Sequence, residues 1–530
     1  MNRSKRTALD QLLKSCDPGS HEHAFLVIGD QLNMSVFPDE VIRNKPLILF
    51  TESYEQSGEH PYHKKKLIYQ FACQRHFAVE CANAGFPVCY LTGLERGDDA
   101  GDDHCDVRVR TLLDEHAGLN VAWMQPAEWD TRKRLETLHD NAPARTRIHE
   151  NPFFLAKPGE WTDRIRDGYR MEYFYREMRK KTGYLMDGEH PEGGEWNYDK
   201  QNREKLPEGY PVPEIPACEP DAITLEVIEW VSASFANHFG ESDGFDLAVT
   251  RDQALQQADH FFEKRLKEFG PYEDAMATGK PTLFHSLLSV YMNNGLLLPG
   301  ELCDRAEAAY RNGEVPLNSA EGYIRQIIGW REYIRVYYEA MMPDVRKVNA
   351  FGFKGKLPRF FWDADTRMNC VSEAVGHVIK TGYSHHIQRL MVLSNISNLT
   401  ETDPRELNEW FRYAYVDAWE WVVLPNVLGM ATFADGGVLA SKPYVSGGNY
   451  INKMGDYCRD CSYSISKKEG EGACPFNYLY WNFVNNQRDA FMENGRVSFM
   501  VNTWEKFDPD KKDAITKSSR LFIDELPRYG

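Results

Sequence analysis

No run of about 18 uncharged apolar residues occurs anywhere in the 530-residue chain, which excludes an ordinary membrane-spanning helix. The opening residues, MNRSKRTALDQLLKSC, lack the apolar centre of a secretory leader, so a cytoplasmic location is expected, with no membrane partner. The eleven cysteines are then expected to be reduced thiols unless a metal holds them. Basic charge is scarce: 62 Lys and Arg face 79 Asp and Glu, a net charge of -17. That balance argues against a general nucleic-acid binder and leaves room only for a local basic groove. The phosphate fingerprint GxGxxG is missing, which removes support for dinucleotide binding. Internal repeats, low-complexity tracts and a long tail beyond ELPRYG are missing too.

Apolar and aromatic residues are plentiful, at 42% and 13%, and exclude a disordered chain. At this length roughly two to four domains are expected. In residues 1–150, AFLVIGD (Ala24–Asp30), PLILFTE (Pro46–Glu52), PVCYLTGL (Pro87–Leu94) and LNVAWMQP (Leu119–Pro126) read as buried parallel strands. A helix ending at Gly85 lies between the second and third, so the fold class is α/β, a doubly wound parallel sheet. Its ligand is expected at the carboxyl ends of the strands, around Gly29 to Leu32 and Thr51 to Tyr54. Residues 151–245 read as an interdomain connector: one basic, aromatic helix, MEYFYREMRKKTG, then a Gly- and Pro-rich stretch. Residues 246–530 read as a large all-α domain.

Cysteine spacing is the sharpest chemical signal. Cys458, Cys461 and Cys474 form C-x2-C-x12-C-P, and a tetrahedral site needs one more ligand, for which Cys370 in DTRMNCVSEA is a candidate. Structural zinc satisfies the count equally well, while the C-P ending leans toward a cubane iron–sulfur cluster. In PTLFHSLLS, Thr282, His285, Ser286 and Ser289 offer small polar groups at what reads as a first helical turn, either an anion site or an ordinary cap. Arg389 and Asp417 are charges in apolar helical runs, kept there by a mutual pair or by a ligand. His385 and His386 stand side by side in YSHHIQRLMVLSN. Adjacent helical residues point about 100° apart, so the two do not readily share one metal ion.

HSLLS, GWREYIR, HHIQRLM and DAWEW stand in the order and spacing of the flavin-binding domain of the photolyase/cryptochrome family, and the chain resembles that family from about residue 20 onward. The cysteine set, MEYFYREMRKKTG and GDQL are similar to its prokaryotic iron–sulfur branch, which includes bacterial (6-4) photolyases. The resemblance implies an α/β antenna domain, a connector and a helical FAD-binding domain. It places FAD against His285, Ser286, Leu288, Ser289, Arg389, Asn395, Asp417 and Trp419. It assigns Cys370, Cys458, Cys461 and Cys474 to a [4Fe-4S] cluster, and Trp362 and Trp410 to electron transfer. It places a 6,7-dimethyl-8-ribityllumazine antenna near Gly29, Asp30, Gln31, Glu52 and Tyr54.

The implied activity is light-driven repair of (6-4) pyrimidine–pyrimidone photoproducts in UV-damaged DNA by a monomeric enzyme, using electron transfer from excited, reduced FAD. His386 is the implied proton donor, since imidazolium is charged near neutral pH and still gives up its proton, and His385 is its neighbour in the wall of the lesion pocket. Gln326 donates to a pyrimidine carbonyl and Tyr444 is a further lesion contact. A cationic rim is expected at Arg176, Arg179, Lys180 and Lys181, and a divalent cation is expected to screen acidic residues near the lesion. The sequence departs from the family at Val423, which cannot hydrogen-bond to flavin N5, and at Phe411, which lacks a tyrosine hydroxyl. A cryptochrome-type blue-light photoreceptor with the same cofactors is the alternative. A cyclobutane-dimer photolyase is disfavoured, because that repair needs no proton donor.

Overall fold

The structure is a computed structural model that describes residues 7–92 and 103–528. Gly93 and Leu94, the end of the expected third strand, lie outside the described residues, as do the first six residues and the last two of ELPRYG. Five parallel strands form the N-terminal sheet: β1 (His23–Leu26), β2 (Leu47–Thr51), β3 (Val88–Leu91), β4 (Asn120–Met124) and β5 (Thr146–His149), in the order β3-β2-β1-β4-β5. The register sets Ala24 beside Leu47 on one side and Val121 on the other. Four strands fall in the apolar runs read from the sequence. The fifth, TRIH, was missed because an edge strand with only Thr146 buried carries no apolar signature.

Successive strand side chains face opposite ways, and here both faces are covered. Ala24, Leu26, Leu47, Leu49 and Trp123 enter a local core on one face. Phe25, Ile48, Phe50 and Tyr90 enter a second core, which continues without a break through the helical half as far as Ile515. Double burial explains why the strands read as continuous apolar runs rather than alternating ones.

Helix Lys64–Asn83 packs on the sheet and on helix Ala222–Ser234. Its N-terminus is capped by the His63 ring, which accepts from Lys65 N at 3.0 Å, and Gly85 follows its end at φ 83°. Within the stretch read as connector, helix Met171–Thr182 ends on Gly183 at φ 82°, as the sequence predicts. Helix Ala222–Ser234 was not anticipated there, although the Asp221 cap of Thr224 N announces it. Three long apolar runs of the helical half each contain one π-helical segment: 325–331, 388–394 and 425–431. Such insertions widen a turn and re-aim its side chains, and they cluster at functional sites.

Candidate active site

All three π-helical segments face one cavity of about 300 Å³. His285, Ser289, Arg389, Asp417 and Val423 line it together. Arg389 and Asp417 make a two-pronged pair, Nη1 to Oδ1 at 3.1 Å and Nη2 to Oδ2 at 3.0 Å. Ser289 Oγ donates to Asp417 Oδ2 at 2.8 Å, and Asn293 Nδ2 to the Asp417 carbonyl at 2.9 Å. Asp417, expected inside a helix, instead occupies the break between helices Pro404–Ala414 and Glu420–Leu424, which frees its backbone carbonyl for Asn293.

Thr282, His285 and Ser286 precede helix Ser289–Asn293 rather than forming its first turn. Their loop is held by buried Arg265, whose Nη1 donates to the His285 carbonyl at 2.7 Å. Leu283 and Leu287 take positive φ, 41° and 60°, a local strain that the tight loop imposes. Ser286 and Leu287 line the cavity, whereas Leu288 is turned into the core. Asn395 does not line it. Its side chain bonds Ser446 through Nδ2 to O at 2.9 Å and through Oδ1 from N at 3.1 Å, pinning the 442–446 loop. Trp419 also points elsewhere, into the cavity of the α/β half.

A second cavity of about 510 Å³ adjoins the first, lined by Arg203, Lys442, Tyr444, Tyr450 and Lys453. His386, Gln326, Glu273 and Trp330 line both cavities. The histidine neighbours separate because Gly382, at φ 69°, ends helix Asn369–Thr381. His385 precedes the next helix and is fully buried, its ring stacked on His285 at 4.6 Å and 8°. His386 opens that helix and is exposed into the two cavities. Neither ring nitrogen of His385, nor Nε2 of His285, has a hydrogen-bond partner among the described residues. Burial depresses all three histidines, reinforced at His285 and His385 by neighbouring imidazoles and by Arg389; His386 falls to about 4 through burial and Arg389 alone, since protein encloses it on every side but the cavities.

Burial and pairing revise the expected cationic rim. Arg179 is fully buried on the carbonyls of Tyr184, Leu185 and Trp196, Arg176 pairs with Glu172, and Lys181 with Glu160. The cations that face the second cavity are Arg203, Arg325, Lys442 and Lys453, which sequence position alone did not single out. The acidic residues there are engaged as well, Asp274 with Arg203 at 3.8 Å and Asp199 with Arg325. Among the described residues no three His, Cys, Asp or Glu side chains converge tightly enough for a single metal ion.

Cys370, Cys458, Cys461 and Cys474 nevertheless line one pocket, walled by Met368, Ile451, Tyr457 and Phe476. A Cβ on Gly448 would lie 2.8 Å from Cys474 Sγ, so a glycine keeps that wall open. Burial and the neighbouring thiols push Cys370 well above its ordinary range and raise Cys458 to about 11. Four thiols around a pocket with no single convergence point suit a cluster of several atoms better than one ion.

The third cavity, about 180 Å³, opens at the carboxyl ends of β1 and β4, where strand order reverses. Gly29, Asp30 and Glu52 line it. Gln31 and Tyr54 do not: the Gln31 amide donates to the Gln125 carbonyl at 3.0 Å, and the Tyr54 ring packs on Phe235 at 5.1 Å. Glu52 is committed to Arg75 at 2.8 Å and Tyr90 at 2.6 Å. Asp30 Oδ1 is buried without a partner, and burial, then Glu128, pushes its carboxyl up to about 7. Sequence reading missed Lys66, Gln70 and Gln74, a polar stripe at four-residue spacing on helix Lys64–Asn83. Ala418 lines both this cavity and the first, so one short segment separates them.

Trp410 is fully buried against Phe411 at 5.2 Å, and Phe411 lines the first cavity. Trp362 is partly buried and packs on Phe239 at 5.5 Å. Phe361, next to Trp362 in sequence, packs on the Trp410 ring at 4.9 Å.

A family model described as "Deoxyribodipyrimidine photo-lyase-related protein" matches residues 25–247. A (6-4) photolyase of Agrobacterium fabrum is 40% identical over 504 residues, spanning 94% of this chain and 99% of the relative. Among solved structures, a bacterial class III photolyase from Agrobacterium tumefaciens overlays with TM-score 0.57 and 14% identity, covering 97% of this chain and 99% of that one. A cryptochrome of Synechocystis sp. PCC6803 gives 0.55 and 12%, covering 95% of each chain. The two overlays establish the fold, and the full-length relative establishes the lineage: the chain belongs to the photolyase/cryptochrome family, among its bacterial (6-4) photolyases.

Proposed function

We propose that this protein is a light-driven DNA-repair enzyme acting on (6-4) pyrimidine–pyrimidone photoproducts. The observation that carries the reading is His386 in the wall common to two adjoining cavities, one suited to a flavin and one to a base turned out of the duplex. In the first, Arg389, Asp417, Ser289 and the 285–287 loop would hold FAD, and the unpartnered His285 Nε2 offers it a further hydrogen bond. When bound, reduced FAD supplies the lesion with one electron on absorbing blue or near-ultraviolet light. In the second, Arg203, Lys442 and Lys453 supply the local positive charge that phosphates need on an acidic protein. The four-cysteine pocket would hold a [4Fe-4S] cluster tying the 458–474 loop to helix Asn369–Thr381, and the third cavity, with Asp30 and Lys66, would take a lumazine-type antenna.

His386 supplies the proton. The chain alone keeps it neutral at pH 7, because burial and Arg389 both oppose its charge. Negative charge brought by ligands bound in the two cavities would raise the imidazole toward the range of a working general acid. The proton would move from His386 onto the OH or NH2 group as its bond to the 5′ base breaks; the group bonds again to the 3′ base it came from, the bond joining the two bases breaks, and the borrowed electron and proton are given back, so the sum is redox-neutral. His385, stacked on His285 and fully buried, keeps the backbone at 385–386 in place without carrying charge itself. The test is the His386→Ala protein, which should bind lesion-bearing oligonucleotides in the dark and restore no thymines under light. Undiminished repair removes the assigned role. Pigmented wild-type protein that leaves lesions unrepaired would favour the photoreceptor alternative.

A further inference from the structure

Gln326 stands where the two cavities meet, and its amide is not free to turn. Its Nε2–H donates to Glu273 Oε1 at 2.7 Å. Glu273 Oε2 accepts from Asn202 Nδ2 at 3.2 Å, and Asn202 Oδ1 accepts from Asn318 Nδ2 at 3.1 Å. Hydrogen bonds in this string run one way, from Asn318 through Asn202 to Glu273, with Gln326 arriving from the opposite side. Asn202 is buried, and a Cβ on Gly322 would stand 3.0 Å from its Nδ2, so the string is closely packed. The main-chain carbonyl of Glu273 meets the His285 ring, which places the residue firmly. Burial, helped by Asp274 and Asp199 and opposed by Arg325, pushes the Glu273 carboxyl up to about 7, so the ionised form that accepts from both neighbours is the one present above that pH, where the binding test is read.

We propose that Glu273 is a positioning residue: it locks the Gln326 amide so that one N–H and the carbonyl oxygen face the lesion-side cavity in a fixed order. This rests on the repair reading of that cavity. A fixed donor–acceptor pair matches the imide edge of a pyrimidine, a carbonyl beside N3–H, whereas an amide free to flip matches either order and selects neither. A carboxylate is required at 273 because both of its neighbours donate. Glu273→Gln introduces a donor; with Asn202 kept in its present orientation by its bond to Asn318, the carbonyl of the new amide faces Asn202. The new N–H therefore faces Gln326 and turns its amide round.

The measurement is dark binding of full-length pigmented protein to single-stranded oligonucleotides with and without one (6-4) photoproduct. Glu273→Gln should weaken lesion binding about tenfold, the worth of one good hydrogen bond, and leave undamaged DNA unaffected. Because Glu273 acts through Gln326, the Glu273→Gln/Gln326→Ala protein should bind like Gln326→Ala alone. Losses that multiply in the double variant, or lesion binding by Glu273→Gln within twofold of wild type, overturn the proposal. If the Gln variant does not fold, Glu273→Ala is read in the same cycle. Wild-type protein without any preference for the lesion would instead defeat the repair reading and this inference with it.

Discussion

Replacing Asp417 by Asn removes one negative charge and keeps the shape, which makes it a clean probe of the first cavity. Asp417 is 5% exposed, and the Arg389 side chain that it pairs with is 23% exposed. Deleting one partner of a fully buried pair costs about 3–5 kcal/mol, because the other charge is left unmatched. Arg389 retains its Nε bond to the Ser384 carbonyl at 2.7 Å and its place 4.2 Å over the Tyr415 ring, and it has some access to solvent. The lower end, about 3 kcal/mol, is therefore expected. With an unfolding entropy of about 2.1 cal/mol/K per residue, a chain of 530 residues that melts as one unit loses about 3 °C in Tm. The continuous core supports treating it as one unit. The loss should be larger in flavin-loaded protein, since the pair lines the cavity as well as supporting its wall. Paired melting curves of loaded and flavin-stripped protein, with flavin content read from absorbance, test this. An Asp417→Asn protein with full pigment and a melting point unchanged in both states would refute the assignment of the pair to the cofactor.

Two further outcomes are expected. Cys461→Ser should abolish bound iron, and Gly448→Ala, whose Cβ would crowd Cys474 Sγ at 2.8 Å, should reduce it; iron and zinc analysis of the purified proteins distinguishes a cluster from a zinc site. Acid should destabilise the protein below about pH 6.5, because burial lowers His63 and His377 to about 4 and His285 to about 3. The unfolded chain takes up these protons as pH falls through 6.5 and the native one does not until near 4, so stability present above 6.5 is lost across that window. For His63, whose Nε2 lies 3.0 Å from the Val378 and Ile379 carbonyls, the loss between pH 7.5 and 5 is about 2 kcal/mol. Urea titrations should show that share missing in a His63→Gln protein, and an equal pH dependence in both proteins would contradict it.

The legible parts of this molecule are those where a local pattern has a single physical cause. Four doubly buried strands announce themselves as apolar runs, and C-x2-C-x12-C-P predicts thiols about one pocket. What stayed hidden depends on distant partners or on helix breaks. Trp419 lies two residues from Asp417, yet the non-helical segment sends them into different cavities. Arg179 and Arg203 are equally basic in sequence. One is buried under three carbonyls and the other lines the second cavity, a distinction that basic character alone does not reveal. Asn395 reads as a cavity residue from its neighbours, but Ser446, far along the chain, captures both ends of its amide. Glu273 illustrates the limit best. It sits in a turn with no motif, and its meaning arises only when Asn202, Asn318 and Gln326 arrive from three other segments and leave a carboxylate as the one side chain that satisfies both of its donors.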